Sequence, residues 1–480
     1  MWHLVPEAAS VLRAAGLRPK DVAALGAFTG VGSRCGSAGT GSSGATGPER
    51  SGSLRGYGLT VAGVGIWAAR RARHAPVLID DGGPVSGTAL LQLVAAMADD
   101  LRDERAVVVS RADDRHLVAT LIAAGTVGVD VVLVGPRAGA EEVAAARQRA
   151  DDLAGTGPRL SGQRRRAPAV VLHSSGTTGR PHPRTQRDVG LAQLPTLVSL
   201  IAALGLRRAE PMLLAAPVSH GHGLSALAAG LLLGSPVLLG AARAPDRGLS
   251  QLAEHRVRTW VGLPTQLADL ITAADARPGS PAGAALGGLR RIVTGSAPLP
   301  EELTADVHRR LGEVLVNYYG STEAGTVTIA RPADLAAVPA TVGRAATGVQ
   351  IEIRDPAGRV APVGQVGEVV LRSRWRAAGE PVWIHSKDRG WLDEAGRLVL
   401  VGRSDDAVLV GGHVVSLAAV TAWLRSRPGV QEVAVRVQPD QRLGSVLAAR
   451  VRGTVDLPTL HAEARTALGD AAAPRHLLPW

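Results

Sequence analysis

Ala169-Val170-Val171-Leu172-His173-Ser174-Ser175-Gly176-Thr177-Thr178-Gly179-Arg180-Pro181 runs from an apolar stretch straight into glycines and hydroxyls. A β-branched run that stops this sharply predicts a buried strand opening onto a loop. Glycines let a backbone approach a bound group closely, and hydroxyls with main-chain N–H groups can wrap phosphate oxygens. No Gly-Lys-Ser or Gly-Lys-Thr follows, so the string is not a Walker loop. Taken by itself it would suit a small-residue turn as well as a phosphate cradle.

The same rhythm extends to both sides. Strands are expected at Val107–Val109, Val131–Val134, Met212–Ala216, Thr259–Gly262 and Arg291–Thr294, with a helix from Leu117 to about Ala124. Such alternation predicts an α/β fold with parallel sheets. Beyond about residue 345, Val349–Arg354, Gly367–Arg372 and Leu398–Val401 read as strands joined by turns such as Asp355-Pro356-Ala357-Gly358, a smaller β-rich region. From Arg403 a separate α+β unit is expected, with a strand at Gln431–Arg436. Residues 7–25 read as a short amphipathic helix, and Gly26–Gly58, rich in Gly, Ser and Thr, as a flexible segment. The expected division is 1–58, helix and flexible segment; 59–402, large α/β domain; 403–480, small C-terminal domain.

Composition narrows the function. The 480 residues are 46% hydrophobic and 20% charged, ordinary for a globular chain of more than one domain. The net charge of +11 is spread along the sequence, with local runs at Arg70, Arg71 and Arg73 and at Arg164 to Arg166. Neither a nucleic-acid module nor a single long basic stripe is present, so no nucleic-acid partner is expected; a basic surface favours small anions instead. Cys35 is the only cysteine, which excludes a disulfide framework and a cysteine-rich metal site and points to a reducing, cytoplasmic setting. The first residues carry no basic and apolar secretory pattern. Leu224 to Ala242 is free of charge, but Gly234-Ser235-Pro236 divides it into a helix and a short strand, Val237–Leu239, so no integral membrane segment is expected.

Further motifs stand in a fixed order. They are Ala216-Pro217-Val218-Ser219-His220-Gly221-His222-Gly223, Gly295-Ser296-Ala297-Pro298-Leu299, Asn317-Tyr318-Tyr319-Gly320-Ser321-Thr322-Glu323, Ser386-Lys387-Asp388-Arg389-Gly390, Gly402-Arg403-Ser404-Asp405-Asp406 and Val410-Gly411-Gly412. With the Ser-Ser-Gly-Thr-Thr-Gly-Arg-Pro loop, this series resembles the adenylate-forming superfamily of acyl-CoA synthetases, peptide-synthetase adenylation domains and luciferases. The likeness spans roughly residues 60–476 and is nearest in pattern to bacterial long-chain fatty-acid–CoA ligases.

The resemblance implies ATP-dependent activation of a carboxylic acid, expected to be a fatty acid, to an acyl-adenylate and its transfer to the thiol of CoA or of a carrier protein. Thr177 and Thr178 would bind the β- and γ-phosphates within a loop formed with Ser174, Ser175, Gly176 and Gly179. Thr322 would contact the α-phosphate and Glu323 would hold Mg²⁺, a hard cation that prefers oxygen ligands. Gly295, Ser296, Ala297, Asn317, Tyr318, Tyr319 and Gly320 would surround the nucleotide, with Asp388 and Arg403 on the ribose. His220 and Gly221 would shape the acyl pocket, Asp405 would be a hinge, and Gly411 and Gly412 would line the pantetheine path. As isolated residues, Asp388 would be an ordinary turn acid, Glu323 a helix-terminal acid and His222 a core or loop histidine. The His220-x-His222 pair lacks a third ligand for a metal.

Four departures from that pattern weaken anion handling. The family's adenylation lysine follows a Pro-Arg segment; here Ala473-Pro474-Arg475-His476 leads to Trp480, and the only lysines are Lys20 and Lys387. Lys387 occupies the usual glycine beside Asp388, His182 the usual lysine after Arg-Pro, and His413 with Ser416-Leu417-Ala418-Ala419 the usual acidic and proline positions. Losing a cation at transition-state charge costs about 10²- to 10³-fold in rate, so slow adenylation is expected. Three readings follow: a working ligase with another cation, such as Arg475; a relative that binds nucleotide or acyl-adenylate without efficient turnover; or the product of an incomplete gene.

Overall fold

The computed structural model describes residues 60–136, 138–155, 170–174, 182–186, 200–240, 244–321, 324–373, 383–403 and 407–480. The helix expected at 7–25 and the segment Gly26–Gly58 lie outside the described residues. In chain order the main elements begin with α1 (Val61–Arg71), β1 (Pro76–Asp80), β2 (Gly83–Ser86), α2 (Gly87–Asp100), β3 (Ala106–Ser110), α3 (Arg115–Val127), β4 (Asp130–Val134), α4 (Ala140–Gly155), β5 (Val170–Ser174) and β6 (His182–Gln186). Next come β7 (Met212–Leu214), α5 (Gly221–Leu233), β8 (Val237–Leu238), α6 (Pro245–Glu254), β9 (Thr259–Gly262), α7 (Pro264–Asp275), β10 (Arg291–Gly295), α8 (Glu301–Leu311), β11 (Leu315–Ser321) and β12 (Gly325–Ala330). The remainder is β13 (Thr341–Ala345), β14 (Val349–Arg354), β15 (Gly367–Ser373), β16 (Ile384–Leu392), β17 (Arg397–Arg403), β18 (Ala407–Val410), β19 (His413–Ser416), α9 (Leu417–Arg425), β20 (Val430–Asp440), β21 (Gly444–Gly453), α10 (Leu457–Leu468) and β22 (His476–Pro479).

The helices and strands alternate as the apolar runs predict. The uncharged span from Leu224 splits where expected: α5 ends at Leu233, Gly234 caps it in the left-handed conformation (φ +63°), and β8 follows. Among the described residues no helix is long and apolar enough to cross a membrane.

A thirteen-stranded mixed sheet dominates, in the order β14-β15-β16-β17-β13-β12-β11-β10-β9-β7-β8-β1-β2. Its middle, from β11 through β10, β9, β7 and β8 to β1, is parallel. These strands are buried on both faces, as parallel strands under helices require. Strands β13 to β17 are antiparallel and pair through β13 onto β12, so the β-rich region extends the same sheet. A second sheet, β3-β4-β5-β6, packs on α3 and α4. The last 74 or so residues form the β18–β19 hairpin and a three-stranded sheet, β20-β21-β22, around a core containing Val420, Leu424, Leu447 and Leu460.

One buried ion pair locks the first strand to α3. Asp80, 7% exposed, accepts hydrogen bonds from Gly82 N–H (2.9 Å), Arg115 N–H (2.8 Å) and the Arg115 guanidinium. Burial alone would raise its pKa, but the Arg115 hydrogen bonds and charge outweigh this and hold it below the usual carboxylate value. Removing the carboxylate would leave the partly buried Arg115 cation unpaired, so Asp80→Ala is expected to cost about 2–4 kcal/mol of stability in a denaturant titration. A depressed carboxyl pKa stabilises above its free value near 3.8, so this contribution disappears as pH falls through the folded value.

Candidate active site

The parallel register sets Thr294 beside Gly262 and Asn317, and Gly295 beside Tyr318, so the carboxyl ends of β9, β10 and β11 form one edge. The loop after β7 joins them: Gln266, in the first turn of α7, donates to the Ala215 carbonyl and accepts from Leu263 N–H, both at 2.9 Å. Open α/β sheets bind ligands at this edge.

Each motif is held there by local chemistry. The Thr294 hydroxyl is buried and donates to Asn317 Oδ1 (3.1 Å), tying β10 to β11. Gly295 must lack a side chain, because a Cβ would stand 2.8 Å from the Tyr318 carbonyl oxygen and 3.0 Å from its ring. Ser296 takes a left-handed backbone (φ +61°), an uncommon state for a non-glycine residue and one that concentrates at functional sites.

Asp388 sits opposite Arg403 in the β16–β17 ladder. Its Oδ1 accepts from Arg403 Nη1 at 2.8 Å, and its Oδ2 accepts from the Tyr319 hydroxyl. Burial, then the Asp388 charge, push the Tyr319 pKa well upward, so the phenol stays protonated and donates. Ser386 supports the turn, accepting from Asp388 N–H (3.0 Å) and donating to the Val369 carbonyl (2.7 Å). Lys387, where the resemblance expects glycine, has φ +62°, the conformation glycine adopts most cheaply.

The segment from Ala216 to Gly223 enters α5 from Pro217. Asp113, 105 positions away, accepts from Val218 N–H at 3.2 and 3.3 Å and anchors it; no local pattern signalled that contact. His220 precedes α5 and packs edge-on to His413, ring centroids 4.9 Å apart; His222 packs edge-on to Tyr318 at 4.8 Å. The C-terminal unit thus reaches the same edge through the turn between β18 and β19. A Cβ on Gly412 would lie 3.2 Å from the Ser296 carbonyl oxygen, and one on Gly411 would lie 3.1 Å from Leu443. Arg442 adds an ion pair to Asp269 of α7 (2.7 Å). His413, noted in sequence only as a departure, is therefore part of the site.

Burial, with smaller like-charge contributions from His413 and His222, pushes His220 down to about 3; burial also lowers His413. A histidine held neutral by docking stabilises the docked arrangement fully above its free value near 6.5 and loses that contribution as pH falls toward the depressed value. The slope is about 1.4 kcal/mol per pH unit for each such histidine. Docking of the C-terminal unit, read by energy transfer between dyes on the two units, is expected to be constant from about pH 7 to 9 and to weaken below about pH 6.

The structure brings together Gly295, Ser296, Ala297, Asn317, Tyr318, Tyr319, Gly320, His220, Gly221, Asp388, Arg403, Gly411 and Gly412 around this edge. Ser174 ends β5 opposite His182. Ser175, Gly176, Thr177, Thr178, Gly179, Thr322, Glu323 and Asp405 lie outside the described residues. Among the described residues no three His, Cys, Asp or Glu side chains could hold a metal ion together. Arg475, weighed as a substitute cation, is half exposed and 3.7 Å from Asp440.

A family model for AMP-binding enzymes matches residues 94–379, more than half of the chain. The chain is 30% identical over 301 residues to the medium-chain fatty-acid–CoA ligase of Escherichia coli, covering 59% of itself and 51% of that protein. It is 30% identical over 339 residues to the indoleacetate–CoA ligase of Aromatoleum aromaticum, covering 67% and 64%. The chain thus spans about half to two thirds of the length of these relatives. The amide bond synthetase of Marinactinospora thermotolerans superposes with a TM-score of 0.72 at 25% identity, over 87% of this chain and 95% of that one. On the combined weight of the motif order, the fold and the family match, the chain belongs to the AMP-binding enzyme family of the adenylate-forming superfamily.

Proposed function

We propose that the chain activates a carboxylic acid with ATP, giving an acyl-adenylate and pyrophosphate, and then passes the acyl group to the thiol of CoA with release of AMP. The observation that carries this reading is the convergence of Asp388, Tyr319, Arg403, Ser296, His220 and Gly412, distant in sequence, on one edge of the sheet.

Asp388 accepts from Arg403 Nη1 on one oxygen and from the Tyr319 hydroxyl on the other, and a carboxylate so oriented would receive the hydroxyls of a ribose. The β10 loop, Gly295 to Ala297, would receive the adenine. Thr177, Thr178 and Thr322 are the proposed phosphate contacts, and Glu323 the proposed Mg²⁺ ligand; bound Mg²⁺ would neutralise charge on the phosphates. The acid's carboxylate oxygen attacks the α-phosphorus and pyrophosphate leaves; the thiol sulfur then attacks the acyl carbonyl and AMP leaves. Residues 404–406, with Asp405, would be the hinge for the C-terminal unit, and Gly411-Gly412 the passage for the thiol arm.

By name the relatives act on a medium-chain fatty acid and on indoleacetate, so alkyl and aryl acids both belong in the assay. ATP–pyrophosphate exchange is expected with at least one acid, followed by thioester formation on CoA; a carrier-protein thiol and an amine are the comparison acceptors. Absence of exchange with every acid overturns the reading. His182, in place of a phosphate-loop lysine, favours as second reading a protein that holds nucleotide with little turnover; calorimetry showing ATP binding without exchange would identify it.

A further inference from the structure

His222 is 6% exposed, in the first turn of α5, with its ring edge-on to Tyr318. Neither of its ring nitrogens has a hydrogen-bond partner among the described residues. Tyr318 meets the ring edge-on and supplies none. A neutral imidazole carries one N–H donor and one acceptor, so both halves of its hydrogen-bonding capacity are unused. Folded proteins seldom leave such groups unpaired, because their lost hydration is not repaid. Ser219, three residues earlier and also buried, has an unpartnered hydroxyl among the described residues as well.

The position of His222 says what would complete it. His220, on the same segment, meets His413 of the C-terminal unit. His222 contacts Tyr318 of β11 instead. Burial holds the ring uncharged, and an uncharged ring in an apolar surrounding offers little to a carboxylate but suits a neutral hydroxyl, which both donates and accepts.

We propose that His222 reads a hydroxyl group of the bound acid beside the Tyr318 ring, so that the preferred substrates are hydroxylated carboxylic acids rather than plain alkyl or aryl ones. This rests on the reading of Ser219 to Gly223 as the acyl pocket. A site built to bond a hydroxyl discriminates strongly against the analogue without it, whereas an apolar pocket barely distinguishes the two.

The test compares matched pairs, 4-hydroxybenzoate with benzoate and a terminal hydroxyalkanoate with its alkanoate, by the ratio of kcat/KM. The native chain is expected to favour the hydroxylated member by about 10²-fold or more, and His222→Leu to reduce the ratio to within about threefold. His222→Asn, which keeps a donor and an acceptor, is expected to retain part of the preference, and it serves if the leucine variant does not fold. Equal rates for both members, as ordered water alone on His222 would produce, or a preference that survives His222→Leu, overturn the inference. If no acid supports exchange, the proposed function fails, and the inference is decided by calorimetry. Hydroxylated acids binding the native chain more tightly than their partners, with the difference lost in His222→Leu, would sustain it; equal or absent binding would sink it.

Discussion

Asp388→Asn is expected to lower kcat/KM for ATP by about 10²- to 10³-fold while leaving the fold intact. The carboxylate is bonded on one side to Arg403 Nη1 at 2.8 Å and on the other to the Tyr319 hydroxyl, and both side chains of the ion pair are only 16% and 14% exposed. Asparagine keeps the shape but removes the charge, and its amide presents a donor to one of two donors. Each charge-assisted hydrogen bond is worth about 1.5–3 kcal/mol, and every 1.4 kcal/mol is about tenfold, so losing one such bond and the contact to a ribose diol gives the stated range. Tyr319→Phe removes only the neutral donor and is expected to cost about tenfold. Steady-state kinetics with ATP varied, beside circular dichroism, decide the matter. A kcat/KM for ATP within threefold of the native value in Asp388→Asn would place this carboxylate outside the nucleotide site.

The α/β class was legible because buried parallel strands need apolar residues on both faces. Runs such as Val131-Val132-Leu133-Val134 and Thr259-Trp260-Val261-Gly262 therefore read as strands without any tertiary information. Gly234-Ser235-Pro236 was legible for a different reason: glycine takes the left-handed cap cheaply and proline cannot continue a helix. Strand pairing was not. That β13 joins β12, and so makes the later antiparallel strands part of the large sheet, depends on register between segments whose local patterns would permit other pairings.

The site divides the same way. Asp388 and Arg403 belong to adjoining strands, and their meeting follows from one ladder. The Tyr319–Asp388 bond, across 69 positions, was approachable only through the order of motifs, since each residue alone reads as an ordinary strand or turn residue. Asp113 at Val218 and His413 at His220 had no sequence signal, because an aspartate after a strand and a histidine after glycines are common and the contacts form only when separate layers or units dock. Lys387 is the reverse case: the sequence marked an odd residue, and the backbone explains why glycine would be easier there.

Gly412→Val is expected to suppress thioester formation by about 10²-fold while leaving ATP–pyrophosphate exchange within about threefold of the native rate, through the crowding its side chain meets only in the docked arrangement. Gly412 has φ +87°, outside the range of a β-branched residue, and a Cβ there would stand 3.2 Å from the Ser296 carbonyl oxygen and 3.4 Å from Leu263. The backbone strain falls on the turn in either arrangement, whereas the crowded contact, at about 1–3 kcal/mol, is about a five- to 150-fold loss of the docked population. Gly411→Ala is the milder companion: the nearest obstacle is the movable end of Leu443 at 3.1 Å, so a smaller loss is expected. Single-turnover transfer from preformed acyl-adenylate to CoA isolates the second half-reaction, and exchange isolates the first. If Gly412→Val depresses both equally, the turn serves the stability of the C-terminal unit, and the proposed division of labour between its docked and undocked arrangements fails. If transfer alone falls, the contact of Gly412 with the Ser296 loop is what brings thiol and adenylate together.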